Sequence, residues 1–259
     1  MNTPRAAPVL LTAPAGFPLV RPGDDLAGLI AAALADSGLA PVHGDAIVVA
    51  QKIVSKAEGR IVDLATVVPS ARALEVAAVV GKDPRLIEVI LSQSRRIVRQ
   101  RPNVLIVEHL LGFVMANAGV DQSNVAAADG VERALLLPAD PDGSAEALRN
   151  RLQDRFGVTL AVIINDSFGR AWRRGTVGVA LGAAGLPALL DKRGDPDLFG
   201  RTLQATLICY ADEIAAAASM VQGQADEGRP VVLVRGLAWS APAVPAAALL
   251  RPEAEDMFR

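Results

Sequence analysis

The stretch VIINDSFGRAWRRG, residues 162–175, decides how this sequence is interpreted. An apolar run that begins before it ends at Asn165, Asp166 and Ser167, and Arg170, Arg173 and Arg174 follow within a few residues. A near-continuous apolar segment such as 159–166 is typical of a strand that is covered on both faces. A carboxylate at the edge of a core costs free energy unless a partner compensates it. The sequence therefore predicts a strand that ends at Asp166, where the partner is either a ligand or an ordinary turn.

The segments on either side of this strand alternate between helical and extended patterns. Apolar spacing and capping residues predict helices over 22–39, 69–81, 84–94, 142–157 and 200–222. Short apolar runs predict strands over 46–50, 103–109 and 230–236. Because strands and helices mix along the whole length, the fold class is α/β or α+β.

Bulk composition restricts the classes of partner. The 259 residues are 51% hydrophobic and 21% charged, which indicates a globular protein. A net charge of −2 and only 3% aromatic residues argue against nucleic-acid binding. The longest apolar stretch, 176–190, is broken by glycines and a proline and is too short to span a bilayer. We expect a cytoplasmic protein without a membrane segment.

Several common active-site motifs are missing from the sequence. It contains neither a Gly-x-x-x-x-Gly-Lys-Ser/Thr phosphate loop nor a Gly-x-Gly-x-x-Gly fingerprint. The three- and four-residue spacing of Gly175, Gly178, Gly182 and Gly185 favours close packing instead. The single cysteine, Cys209, falls inside the predicted helix 200–222, where we expect a core position. His43 and His109 are the only histidines and are expected to be structural.

Oxygen-bearing side chains remain as the candidates for chemistry. Asp121 lies in NAGVDQSN (117–124), and GQADEG (223–228) adds Gln224, Asp226 and Glu227 to Asp166 and Ser167. Such donors suit hard cations such as Mg²⁺ and Mn²⁺, although aspartates in these contexts are also common turn and cap residues. The arginines of SRRIVRQR (94–101) and of 170–174 either bind anions or form a solvated face.

Four stretches taken together resemble the coenzyme F420-0:L-glutamate ligase family: VVAQKIVSKAEGR (48–60), NAGVDQSN, INDSFGRAWRRGTVGVALGAAG (164–185) and GQADEGRPVVLVRG (223–236). The resemblance implies a mixed α/β fold with two closely associated subdomains and an intertwined homodimer. It also implies a single ligase domain over 1–259, without the C-terminal flavin-reductase-like domain that some relatives carry. The implied reaction is GTP-dependent addition of L-glutamate to F420-0, and then of γ-linked glutamate to F420-1, through an acyl phosphate with release of GDP and phosphate.

The resemblance also assigns roles to individual positions. It implies that two divalent cations, Mg²⁺ or Mn²⁺, are held by Asp121, Asp166, Ser167 and Gln224, with K⁺ as a possible further ion; the first three residues are the implied catalytic set. It implies GTP contacts from Gly16, Phe17, Pro18, Leu19, Gln51, Lys52, Lys56, Asn124, Gly223, Gln224, Ala225, Asp226, Glu227 and Gly228. Two alternatives remain open: a metal-dependent phosphohydrolase, and a non-catalytic module that binds guanine nucleotide or deazaflavin. All three interpretations have small-molecule ligands.

Overall fold

A computed structural model of the chain describes residues 8–123 and 130–257. Its strands are β1 (Leu10–Thr12), β2 (Ala46–Ala50), β3 (Ile61–Asp63), β4 (Ser94–Arg101), β5 (Val104–His109), β6 (Val114–Ala116), β7 (Arg133–Leu135), β8 (Ala161–Arg170), β9 (Arg173–Ala184), β10 (Leu190–Asp191), β11 (Leu207–Ile208) and β12 (Val231–Arg235). Its α-helices are α1 (Leu26–Asp36), α2 (Gln51–Ala57), α3 (Ala71–Val80), α4 (Pro84–Ser92), α5 (Pro141–Phe156) and α6 (Tyr210–Gln222). The mixed α/β class is therefore confirmed.

The central sheet has the strand order β1-β12-β2-β8-β9, and only β2 and β8 run parallel. Alternate residues of β2 and β8 enter different cores, as the two-fold side-chain period of a strand requires. Ile47 and Val162 lie in the core that α1 and α5 cover, whereas Val48 and Ile163 lie in the core that α6 covers. The prediction that these strands are buried on both faces is confirmed.

Strand β8 continues past the point where the sequence predicts that it ends. Its pairing with β2 stops at Ala50 and Asn165, but its pairing with β9 continues to Arg170. The register shifts by one residue between Ile164 and Asn165, which marks a β-bulge immediately before Asp166. Asp166 is thus the first residue of β8 beyond the parallel partner, and the antiparallel hairpin supplies the hydrogen bonds that keep the strand extended.

The glycines of β9 allow helices to approach both faces of this edge strand. A Cβ at Gly178 would overlap the backbone oxygen of Ala215 in α6, and a Cβ at Gly182 would overlap that of Pro141 at the start of α5. The close packing predicted from the glycine spacing is confirmed at these two positions.

Residues 61–136 leave the central sheet and build a third core. This core contains buried residues of α3, α4 and β5, together with Ala118, Val120 and Ala134 near the end of the segment. The antiparallel sheet β4-β5-β6 belongs to this segment. The division into two subdomains, and the intertwined dimer, stay predictions.

The helix predicted over 200–222 is wrong in its first half. Helix α6 begins only at Tyr210, and β11 pairs with β10 in an arm whose Leu198 and Phe199 are 99% and 95% exposed. Leu203 and Leu207 have helical spacing, but the arm offers them no core against which a helix could bury a face. Cys209 lies at the N-cap of α6 and is exposed, so its predicted core position is also wrong.

Within residues 8–123 and 130–257, every helix is too short or too polar to cross a membrane.

Candidate active site

The carboxyl ends of β2 and β8 form one edge of the central sheet. Ala50 is the last residue of β2 and leads directly into α2, while Asn165 beside it leads into Asp166. Ligand sites in open α/β sheets form at the carboxyl ends of parallel strands, because loops and helix N-termini converge there. The residues that follow this parallel pairing, in α2 and in the rest of β8, are therefore the candidates for chemistry.

Asp121 approaches this edge from the segment 61–136. Its backbone N–H and C=O exchange hydrogen bonds with Leu135, which fixes its position beside β7. Its Oδ2 lies 2.6 Å from Lys52 Nζ on α2. Ser123, which the sequence does not single out, donates to the same carboxylate through N–H and Oγ at 2.8 and 2.7 Å and accepts from Lys52 Nζ at 2.7 Å. Three polar groups thus enclose one carboxylate.

Asp166 is half-buried and lies within the electrostatic range of this cluster. Burial raises the pKa of its carboxyl group to about 6, and the negative charge of Asp121 acts in the same direction. The Ser167 N–H, the Lys52 charge and the Gln51 side chain oppose this rise. At Asp121, burial also acts to raise the pKa, but the bonds from Lys52 and Ser123 outweigh it and the pKa is lowered. Two carboxylates therefore share one ammonium group.

Buried amide side chains stabilise this edge of the sheet through hydrogen bonds. Gln51 is only 2% exposed, and its Oε1 accepts from Ser55 Oγ at 2.9 Å. Asn165 and Gln222 are also buried and hydrogen-bond to each other at 2.8 Å. Ser55, Asn165 and Gln222 were not predicted from the sequence. An asparagine inside an apolar strand is the one signal that could have indicated this network.

The loop 223–228 begins where α6 ends and reaches the same edge. Pro230 accepts a hydrogen bond from the N–H of Ala50 at 2.8 Å, which ties the end of the loop to β2. Gln224 and Asp226 are exposed, whereas Glu227 folds back and accepts from the N–H of Ala225 at 2.8 Å. Gln224 therefore has a side chain available to a ligand, and Glu227 stabilises the loop.

The remaining predicted contacts are distributed differently. In the turn Gly16–Leu19, Phe17 packs against the core beneath α1, Leu19 is 87% exposed, and the preceding Ala15 N–H donates to Ser37 Oγ at 3.0 Å. Lys56 lies on α2 one turn after Lys52, where burial and then the charge of Lys52 lower its pKa. Asn124 lies outside the described residues. The nucleotide contacts implied for these positions stay predictions.

The donor set fits a hard divalent cation. In the described ranges no three His, Cys, Asp or Glu side chains form a metal-binding group, so a carboxylate- or thiolate-rich centre is not what these residues offer. They offer two carboxylates in electrostatic contact, an exposed hydroxyl at Ser167 and the exposed amide of Gln224. Magnesium typically takes one or two carboxylates and completes its coordination with water and phosphate oxygens. The raised pKa of Asp166 is consistent with a site that needs further positive charge.

His109 and Arg96 take structural positions. His109 is 3% exposed, and its Nδ1 accepts from the N–H of Leu111 at 2.9 Å. Burial, followed by the charges of Arg60 and Arg95, lowers the His109 pKa to about 4. Arg96 binds Glu108 at 2.7 Å across β4 and β5. Arg173 and Arg174 are exposed at the tip of the β8–β9 hairpin, where an anionic ligand can reach them.

Comparison with curated proteins defines the class of this molecule as a ligase enzyme. The chain is 50% identical over 246 residues to the protein of Methanothermobacter thermautotrophicus named Coenzyme F420:L-glutamate ligase, covering 94% of this chain and 96% of the relative. It is 47% identical to the protein of the same name from Methanopyrus kandleri, with 93% of each chain covered. A third relative of that name, from Methanocaldococcus jannaschii, is 44% identical over 83% of this chain and 85% of its own.

A family model also matches most of the chain. The family model described as F420-0:Gamma-glutamyl ligase matches residues 16–236, which include every segment of the candidate site. The chain belongs to the F420-0:gamma-glutamyl ligase family, as the resemblance predicted.

Proposed function

We propose that this chain is a GTP-dependent ligase that adds L-glutamate to the deazaflavin coenzyme F420-0 and then γ-linked glutamate to F420-1. Family membership and the printed names of relatives at 44–50% identity support the ligation of glutamate to coenzyme F420. The observation that carries the site is that Lys52 Nζ lies 2.6 Å from Asp121 Oδ2 and that the charges of Lys52 and Asp121 both act on the carboxyl group of Asp166, which belongs to a separate segment.

The reaction needs an activated carboxylate, because a carboxylate anion is a poor electrophile toward an amine. Transfer of the γ-phosphoryl group of GTP to the coenzyme's carboxylate gives an acyl phosphate and GDP. The glutamate amine then attacks the acyl carbon and forms the C–N bond. The C–O bond between the acyl carbon and the phosphate breaks, and phosphate leaves. Catalysis of this kind depends on positioning and charge stabilisation rather than on a covalent nucleophile.

Asp121, Asp166, Ser167 and Gln224 would hold the divalent cations. When bound, such cations neutralise the phosphate oxygens and so reduce repulsion between two anionic reactants. Adjacent residues of an extended strand point to opposite faces, so Asp166 and Ser167 project to different sides of β8. Asp166 would therefore act together with Asp121 in holding one cation, and Ser167 would act together with the loop 223–228 in holding the other.

The two lysines of α2 would bind phosphate oxygens. Lys52 already compensates Asp121 and acts on Asp166, so it would turn toward the nucleotide when a cation takes its place. Lys56 lies one helical turn away, on the same side of α2. The remaining GTP contacts, from Gly16–Leu19, Gln51, Asn124 and 223–228, and the roles of K⁺ and of a homodimer rest on the resemblance alone.

One experiment tests this function against its alternatives. Purified protein is incubated with GTP, Mn²⁺, L-glutamate and F420-0, and glutamate additions are followed by mass spectrometry together with GDP release. We expect additions in the wild type, a loss of about a hundred- to a thousandfold in Asp166→Asn, and wild-type rates in Asp195→Asn. The control residue Asp195 pairs with Lys192 on the exposed arm.

Two results would contradict the proposal. Phosphate release from GTP at the same rate without glutamate and coenzyme would indicate a phosphohydrolase. Nucleotide or coenzyme binding without turnover under any substrate pair would indicate a non-catalytic binding module.

A further inference from the structure

Asn165 and Gln222 form a reciprocal pair of buried amides. Asn165 Nδ2 donates to Gln222 Oε1 at 2.8 Å, and Gln222 Nε2 donates back to Asn165 Oδ1 at 3.1 Å. The two residues are 3% and 9% exposed, and they join β8 to the last residue of α6. A buried amide without a partner costs free energy, so each side chain holds the other in one orientation.

Each amide directly precedes a segment that carries candidate cation ligands. Asn165 is followed by Asp166 and Ser167, and Gln222 is followed by the loop 223–228 with Gln224. The pair is 57 residues apart in sequence, yet it fixes these two segments at the same edge of the sheet. Gln222 Nε2 also lies 3.4 Å from the oxygen of Pro230, at the far end of the loop.

The loop 223–228 is folded back on itself, so the position of Gln222, the residue before it, determines where the loop lies. Gly223 has φ +77°, and a Cβ there would overlap the carboxylate of Glu227. That carboxylate in turn accepts from the N–H of Ala225. Because the loop closes on itself, a shift of Gln222 would carry the whole loop with it.

We infer that Asn165 and Gln222 are positioning residues that set the distance between the Asp166–Ser167 pair and the loop 223–228, and through it the arrangement of the cation ligands. This inference rests on the proposed function. Neither amide needs to touch a cation or a substrate. Partners that orient metal ligands change metal affinity by about ten- to a hundredfold when they are removed, and we expect an effect of that size here.

The first test compares the same substitution at two glutamines, one bonded to Asn165 within β8 and the other bonded to Leu160 just before β8. Gln222→Met removes the buried amide pair, whereas Gln153→Met removes the hydrogen bond from the N–H of Leu160, which is 3.1 Å long and precedes the start of β8. Binding of Mn²⁺ alone is measured by calorimetry, and the midpoint of thermal unfolding is measured with EDTA. We expect both variants to unfold at lower temperature, but only Gln222→Met to raise the Kd for Mn²⁺ about tenfold or more.

A double variant separates positioning from folding. Asn165→Leu combined with Gln222→Leu leaves no unpaired amide, so thermal stability should largely return, while Mn²⁺ affinity stays weak and the amides of 223–228 exchange faster with deuterium. Recovery of affinity together with stability, or equal Mn²⁺ affinities in Gln222→Met and Gln153→Met, would show that the pair is only structural and would overturn the inference. A wild type that binds no Mn²⁺ would overturn both the proposed metal site and this inference. Either of the two results above, in a wild type that does bind Mn²⁺, would overturn this inference alone, so the two failures are distinguishable.

Discussion

At the scale of single residues, the candidate site is defined by the carboxylate of Asp166, because the fold buries this group and its charged form costs free energy there. Asp166 follows the last residue paired with β2, and burial raises its pKa to about 6. An ordinary turn aspartate is stabilised by backbone N–H groups that lower its pKa, as at Asp25, which caps α1. At Asp83, which caps α4, the Arg85 side chain and then backbone N–H groups lower the pKa. The direction of the shift therefore separates Asp166 from these two capping aspartates.

The raised pKa predicts how the stability of the metal-free protein depends on pH. Because the folded pKa lies above the ordinary value of 3.8, the folded state holds its proton more tightly than the unfolded state. The wild type should lose stability as pH rises from about 4 to about 6, by at most about 3 kcal/mol, and stay lower above pH 6. Asp166→Asn should lack this loss. Urea unfolding with EDTA between pH 4 and pH 7 measures it, and a constant difference between the two proteins would contradict the prediction.

At the scale of elements, β9 is the strand on which helices pack closely from both faces. It is the outer strand of the central sheet, where unpaired backbone groups need partners. Asp212 of α6 accepts from the N–H of Ala180 at 2.9 Å, and Asp142 of α5 accepts from the N–H of Ala183 at 2.8 Å. The helices can approach this closely because Gly178 and Gly182 carry no side chain.

Substitution of a glycine in this hairpin should cost more stability where less space is available for a side chain. Gly178→Ala places a methyl group against the backbone of α6, so we expect a loss of about 1–3 kcal/mol in the free energy of unfolding. Gly169→Ala in the same hairpin is the matched control, because a Cβ there meets no atom within 4 Å. Urea unfolding at constant pH compares the two, and equal midpoints for Gly178→Ala and the wild type would show that α6 can move away without cost.

At the scale of the whole molecule, the site joins segments that belong to different cores. Asp121 follows Ala118 and Val120, which pack with α3 and α4, whereas Asp166 follows residues that pack with α1, α5 and α6. Lys52 on α2 contacts one carboxylate and acts on the other. Cations bound between Asp121 and Asp166 would therefore link the segment 61–136 to the central sheet.

This linkage predicts a ligand-dependent increase in thermal stability that needs both carboxylates. Mn²⁺ with GTP at about a hundred times their Kd should add about 2.7 kcal/mol, which corresponds to roughly 5–10 °C for a protein of this size. Asp121→Asn and Asp166→Asn should each remove most of the increase, because in the proposed site both side chains would hold the same cation. Thermal unfolding with and without ligands measures this, with Asp195→Asn as the control. A full increase in Asp121→Asn would contradict a shared site.

The sequence by itself determined the local features of this protein. Apolar alternation predicted β2 and the buried part of β8, glycine spacing predicted the close helix contacts of β9, and four motifs predicted the family. These features depend on residues that are neighbours in the chain, so pattern and spacing are sufficient to detect them. The same local pattern failed over 200–209, where helical spacing occurs without a core.

Only the tertiary structure decided which of the polar residues meet. Lys52 and Ser123 are 71 residues apart in sequence, and Asn165 and Gln222 are 57 apart. No local pattern encodes such a contact, because it depends on the strand order of the sheet and on the path that residues 61–136 take back to it. Composition and motifs indicated the candidate oxygen donors, and the fold determined which of them interact with the same charged group.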